Sequence, residues 1–198
     1  DLNAGDTTID TSLMNGLSKI GLFSSNATGH TVFTGMTAIT DAQMGNGSSN
    51  LTLTYAGGTT GTADTQNLSL SGAKAGTFTA NGLETVAVSG SLAANKLTNI
   101  AGTGLTKITV TGDQNFTMTG TSAVKTIDAG ANTGKTSLVL GAANQTVTLG
   151  SGNDTIDIGG NMTWADKIQG GAGTDTIKIT TAGTINGPAT ATDISAEF

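Results

Sequence analysis

Apolar and polar residues alternate along most of this chain, and that alternation predicts short β-strands. Between Thr31 and about Met118 it is carried by Leu51-Thr52-Leu53-Thr54-Tyr55, Leu68-Ser69-Leu70, Thr77-Phe78-Thr79, Thr85-Val86-Ala87-Val88, Lys107-Ile108-Thr109-Val110 and Phe116-Thr117-Met118. Gly, Asn or Ser lies between most of these runs, as turns require. Strands this short, at spacings of roughly ten residues, suit either a sandwich or a coiled stack of strands. From Lys125 the period tightens. Ile127, Leu138, Val147, Ile156, Ile168 and Ile177 step by about nine to twelve residues. A parallel β-roll turns once per two nine-residue units, so successive strands fall in opposite sheets and turns stack above every second turn. One stretch departs from alternation. Ile9, Leu13, Leu17 and Ile20 lie three or four apart, which predicts either a short helix over Asp6–Phe23 that caps the open end of the stack or, since Gly16 and Gly21 oppose a helix, a loop with a few buried apolar residues. After Ile179 the alternation fades, and Pro188 ends any strand pairing near it.

The predicted fold is therefore all-β. A right-handed parallel β-roll or β-helix occupies residues 121–185. A Thr- and Gly-rich β region at 31–120, either β-helix or sandwich, precedes it. Residues 1–30 form a helix or cap segment, and 186–198 a tail.

The turns carry the candidate chemistry. Gly170-Gly171-Ala172-Gly173-Thr174-Asp175-Thr176-Ile177-Lys178 fits G-G-x-G-x-D-x-U-x, with U a large apolar residue, at every fixed position. Glycines let such a turn adopt backbone conformations closed to other residues. The turn aims carbonyls and one carboxylate inward, an oxygen set suited to a hard cation. Leu149-Gly150-Ser151-Gly152-Asn153-Asp154-Thr155-Ile156-Asp157 is the same unit with Leu149 in place of the first glycine. Gly159 to Ile168 reads as a third copy, its turn lengthened by two residues around Thr163 and Trp164. Asp154, Asp175 and Asp166 are thus the candidate Ca²⁺ ligands. The earlier turns Gly130–Lys135 and Gly141–Thr146 contain no carboxylate and are expected to hold the fold while binding Ca²⁺ weakly or not at all. Asp157 should point outward as a solvated charge, and Asp113 and Asp128 lack a Gly-rich turn. Trp164 is the only tryptophan and is read as a loop anchor on the roll, ahead of a contact for a neighbouring molecule.

Composition removes several alternatives. The net charge is −6, only 11% of residues are charged, and every basic residue is Lys. Phosphate recognition leans on basic clusters and Arg forks, so nucleic acid is an unexpected partner. There is no cysteine, hence no disulfide and no thiolate metal site. No apolar run approaches a membrane span. His30 is the only histidine and stands in no catalytic motif; no G-x-S-x-G, H-E-x-x-H or P-loop occurs, and an enzyme is not expected. Asp1 is not an initiator methionine, so the sequence is read as a processed form or a fragment.

The nonapeptides at 149–157 and 170–178 resemble the RTX (repeats-in-toxin, haemolysin-type) Ca²⁺-binding repeats. The surrounding text, as in Val124-Lys125-Thr126-Ile127-Asp128-Ala129-Gly130 and Gln145-Thr146-Val147-Thr148-Leu149-Gly150, is similar to RTX-bearing surface-layer proteins of Gram-negative bacteria, of the Caulobacter and Campylobacter type. The resemblance implies a secreted protein, exported by a type I ABC system, that folds outside the cell on meeting Ca²⁺. It implies that carbonyls of Gly150, Gly152, Gly171 and Gly173 join the side chains of Asp154 and Asp175 around the metal. It further implies self-assembly into a two-dimensional S-layer lattice on the cell surface, with cell-surface polysaccharide as a second partner. RTX modules also occur in adhesins and as non-catalytic regions of secreted enzymes, and these are the rival expectations.

Overall fold

The computed structural model describes residues 5–23, 29–57, 59–121, 124–181 and 196–197. The described residues form two nine-stranded parallel sheets. One sheet runs β1 (Thr7–Asp10), β3 (His30–Met36), β5 (Asn50–Tyr55), β7 (Thr77–Ala80), β9 (Asn95–Ala101), β11 (Phe116–Gly120), β13 (Thr136–Val139), β15 (Thr155–Asp157), β17 (Thr176–Lys178). The other runs β2 (Lys19–Phe23), β4 (Asp41–Gly45), β6 (Thr65–Ser71), β8 (Thr85–Ser91), β10 (Lys107–Gly112), β12 (Thr126–Asn132), β14 (Thr146–Thr148), β16 (Lys167–Gln169), β18 (Ala196–Glu197). Each coil gives one strand to each sheet, so every strand pairs with the strand two places away in sequence. This is a β-solenoid. The coil is continuous from β1 onward, which decides for the β-helix and against the sandwich over 31–120.

Alternation explains the register. Ile127, Val147 and Ile168 pair in one sheet, and Leu138, Ile156 and Ile177 in the other. All but Ile177, at the end of its column, are buried between the sheets. The intervening Thr, Ser, Lys and Asp face outward. The N-terminal coils are wider, with two core residues per strand, as at Leu51 and Leu53, Leu68 and Leu70, or Val86 and Val88. Rungs about 4.8 Å apart stack these side chains into continuous columns, so each coil buries its apolar face only against its neighbours.

The helix expected over Asp6–Phe23 is not formed. That stretch is one coil, with β1 joined to β2 by a turn. Ile9 and Ile20 belong to opposite sheets, Leu13 is 90% exposed, and Gly16 has φ 74°. Pairing of Thr7–Asp10 with Thr31–Thr34 outcompetes a helix that two glycines already weaken. Pro188 and most of the 186–198 tail lie outside the described residues, but Ala196 and Glu197 pair with Ile168 and Gln169.

Candidate functional site

The solenoid has two lateral edges. At one, even-numbered strands turn into odd-numbered ones; at the other, odd turn into even. Both glycine-rich turns before Asp154 and Asp175 lie on the first edge, one rung apart. The stretched turn before Asp166 lies on the second edge. Asp154 and Asp175 are therefore brought together, and Asp166 is not.

Glycine is required on the first edge chiefly because backbones approach too closely for a side chain. A Cβ at Gly150 would overlap the Asn132 carbonyl oxygen, and one at Gly171 would overlap the Gly150 carbonyl oxygen. In a second column, a Cβ at Gly134 would strike Gln114, one at Gly152 would strike Gly134, and one at Gly173 would strike Gly152. Left-handed φ adds to this at Gly171 (85°) and Gly173 (112°), but not at Gly150 or Gly152. Cross-rung bonds stitch the pile. Ser151 N–H donates to Asn132 O at 3.2 Å, and Ala172 N–H to Gly150 O at 2.9 Å.

A carboxylate device recurs. Glu84, Asp154, Asp166 and Asp175 each immediately precede a strand, and each reaches back one rung. Glu84 Oε2 accepts from Asp64 N–H at 2.8 Å, Asp154 Oδ1 from Thr136 N–H at 2.7 Å, Asp166 Oδ1 from Gln145 N–H at 2.6 Å, and Asp175 Oδ1 from Asp154 N–H at 2.9 Å. The residues so joined occupy the same register position in successive rungs. These acids bracket neighbouring coils through backbone amides that the strand ladder leaves over.

The brackets differ in how completely they are satisfied. Asp166 is 2% exposed and uses both oxygens, since Oδ2 also accepts from Thr163 N–H at 2.6 Å. Beneath it Gln145 is buried and spends its amide on Gly141 N–H, Thr121 O and Val124 O. Asp166→Ala is expected to cost about 2–4 kcal/mol, because it strands amides in the interior, with the same loss in Ca²⁺ and in chelator. Paired melts in the two buffers check it.

Asp154 is 1% exposed, yet its Oδ2 has no hydrogen-bond partner. Burial pushes its carboxyl above the usual range, and the charge of Asp175 pushes it further; the bond from Thr136 N–H, the dipole of the nearby Gly150 amide and the charge of Lys135 offset part of this. One turn earlier, Asn132 is 1% exposed and its Oδ1 is equally without a partner. Asn132 Nδ2 donates to Gly134 O at 2.8 Å and to the Thr136 hydroxyl at 3.1 Å, so the two orphaned oxygens belong to adjoining turns linked through Thr136. Among the described residues no three His, Cys, Asp or Glu side chains gather as a metal group. A cation on this edge would have two carboxylates, with the amide oxygen of Asn132 and turn carbonyls completing its shell. That all-oxygen mixture fits Ca²⁺. The Gly150 carbonyl, already bonded to Ala172, keeps a second lone pair for such a role. Sequence reading passed over Asn132 because its turn lacks an acid; the signal was an Asn at the register position that Gly150 and Gly171 fill in later rungs.

The remaining residues are peripheral. Asp157 is on the outer face, where the Thr180 hydroxyl at 2.7 Å and Gly159 N–H at 2.9 Å hold its carboxyl below the usual range, with Lys178 at 3.8 Å. Asp128 pairs with Lys107 at 3.8 Å. Trp164 is 49% exposed. The His30 ring nitrogen lies 2.6 Å from the Thr52 hydroxyl. No helix among the described residues is long and apolar enough to cross a membrane. No protein-family model, curated protein or solved structure matches the chain.

Proposed function

We propose that this chain is a structural piece of a secreted bacterial surface layer whose fold is locked by Ca²⁺ at the edge carrying Asp154 and Asp175. The observation that carries the proposal is the pair of buried, unpartnered oxygens, Asp154 Oδ2 and Asn132 Oδ1, in stacked glycine turns. A buried carboxylate beside a like charge is costly unless a cation compensates it. Asp154, Asp175, Asn132 and the carbonyls of Gly150, Gly152, Gly171 and Gly173 would hold the ion, which when bound supplies positive charge between rungs. The chain's own part is to stack the turns, bracket them through Asp154 and Asp175, and present flat outer faces. Those faces are hydroxyl-rich, as in the column Thr65, Thr85, Lys107, Thr126, Thr146 and Lys167, where four threonines stand among two lysines. Surfaces of this kind suit broad polar contacts between copies.

Low Ca²⁺ inside a cell would leave the lock open, and extracellular Ca²⁺, acting on sites with Kd of roughly 10⁻⁴–10⁻³ M, would close it. Adding Ca²⁺ to the purified chain is expected to produce two-dimensional sheets visible by electron microscopy, with Mg²⁺ giving none. A Ca²⁺-folded chain that stays monomeric and binds glycans would instead favour an adhesin module.

A further inference from the structure

Glycine directly follows asparagine at Asn15, Asn46, Asn81 and Asn186. In such a pair the glycine nitrogen can attack the asparagine side chain, because glycine has no Cβ to stand in the way. Whether it does so depends on the fold, since both groups must be free to turn toward each other. Asn186 lies outside the described residues. The other three stand in turns, and the turns hold them very differently.

At Asn81 both reacting groups are tied to the next rung. Asn81 Oδ1 accepts from Thr103 N–H at 3.0 Å, and Gly82 N–H donates to Thr103 O at 2.8 Å. Asn46 is pinned through its backbone. Its N–H donates to Ser71 O at 3.0 Å, and the Gly47 carbonyl accepts from Lys74 N–H at 2.9 Å. Its φ is 51°, and its Oδ1 lies against Gly72, 2.8 Å from where a Cβ there would stand. Asn15, in the β1–β2 turn, has none of these ties. Asn15 and Gly16 are exposed, and neither the Asn15 side chain nor Gly16 N–H has a hydrogen-bond partner among the described residues. Gly16 has φ 74°, and nothing lies within 4 Å of where its Cβ would stand. Leu13 and Met14 beside them are exposed too, so packing does not hold the tip of this turn.

We propose that Asn15 is a self-modification site, where the folded chain turns an amide into a carboxylate. Gly16 N attacks Asn15 Cγ and closes a cyclic succinimide. Water relays the Gly16 proton to the side-chain nitrogen, which leaves as ammonia. One water then adds across either imide C–N bond and reopens the ring, to aspartate or to isoaspartate, whose backbone runs through the former side chain. Water is the only co-reactant, and nothing is oxidised or reduced. The flanks of the turn stay anchored: Thr11 N–H and hydroxyl donate to Thr34 O at 2.9 and 2.8 Å, and the Thr40 hydroxyl donates to Leu17 O at 3.4 Å. The new charge falls on the lining of a cavity of about 220 Å³ between the β1–β2 and β3–β4 turns, to which Asn15 contributes. This inference stands apart from the surface-layer reading.

Incubating the native chain in warm, mildly alkaline buffer and mapping its peptides by mass spectrometry tests this. Asn15 is expected to convert first, roughly tenfold or more ahead of Asn81, where two hydrogen bonds must break before the ring can close. It should also lead Asn46, and an isoaspartyl methyltransferase should label the Asn15 peptide. In chelator and concentrated urea the ties are gone, and the three sites should react at similar rates. A native chain in which Asn46 or Asn81 keeps pace with Asn15 would overturn the proposal. So would a lead for Asn15 that persists unchanged in urea, since neighbouring residues and not the fold would then set it.

Discussion

Gly171→Ala is expected to destabilise the chain by about 2–5 kcal/mol, the largest single effect foreseen for a one-carbon change. Two costs add. Left-handed φ costs a non-glycine residue about 1–2 kcal/mol, and φ here is 85°. Overpacking adds roughly 1–3 kcal/mol, and the new Cβ would overlap the Gly150 carbonyl oxygen, part of a backbone pinned by Ala172 N–H. The rung cannot slide away, because Asp175 and Asp154 bracket it. A drop in melting temperature on the order of 10 °C follows for a chain of this size. Gly57→Ala is the control: Gly57 has ordinary φ and open space around its Cα, so the change should stay within about 0.5 kcal/mol. Thermal denaturation of both variants decides it. Equal, small effects would mean that the turn backbones are not stacked this closely.

Asp154→Asn is expected to shift stability in opposite directions with and without Ca²⁺. Asparagine keeps an oxygen for Thr136 N–H and removes the buried charge that Asp175 opposes. In chelator the variant should therefore melt above the wild type. In Ca²⁺ it should lose the linkage term, about 2.7 kcal/mol at a hundredfold excess over Kd, or roughly 5–10 °C. The pH dependence has a definite sign. Folding raises the Asp154 pKa above 3.8, so the folded chain holds that proton more tightly than the unfolded chain. In chelator this group's contribution makes the wild type more stable as pH falls from the raised folded value toward 3.8, and Asp154→Asn should abolish that gain. Equal loss of stability in Ca²⁺ and in chelator would identify Asp154 as a bracket alone.

Much of the solenoid was legible because its core is one-dimensional. Ile127, Leu138, Val147, Ile156, Ile168 and Ile177 each mark one strand, and a period of about nine to twelve residues leaves little choice but alternating sheets. The helix over Asp6–Phe23 was misread because Ile9 and Ile20 sit in separate strands; a spacing of three or four across a turn imitates one helical face. Pairing partners twenty-odd residues away, invisible to local pattern, decide such cases. The glycines were read for backbone freedom, whereas Gly150 and Gly152 are needed for close approach, which depends on the rung beneath. The same dependence hid Asn132 and the bracketing role of Glu84. A side chain reaching one coil back leaves no mark in its own nonapeptide.

The most direct measurement is the melting temperature of the unaltered chain across a Ca²⁺ titration, from chelator to roughly 10 mM, above the usual Kd range of extracellular sites. A cation held only by the folded turns predicts a midpoint that rises steadily with the logarithm of Ca²⁺ concentration and stays flat in Mg²⁺. A midpoint unmoved by Ca²⁺, or moved equally by Mg²⁺, would contradict a calcium lock between the turns of Asp154 and Asp175.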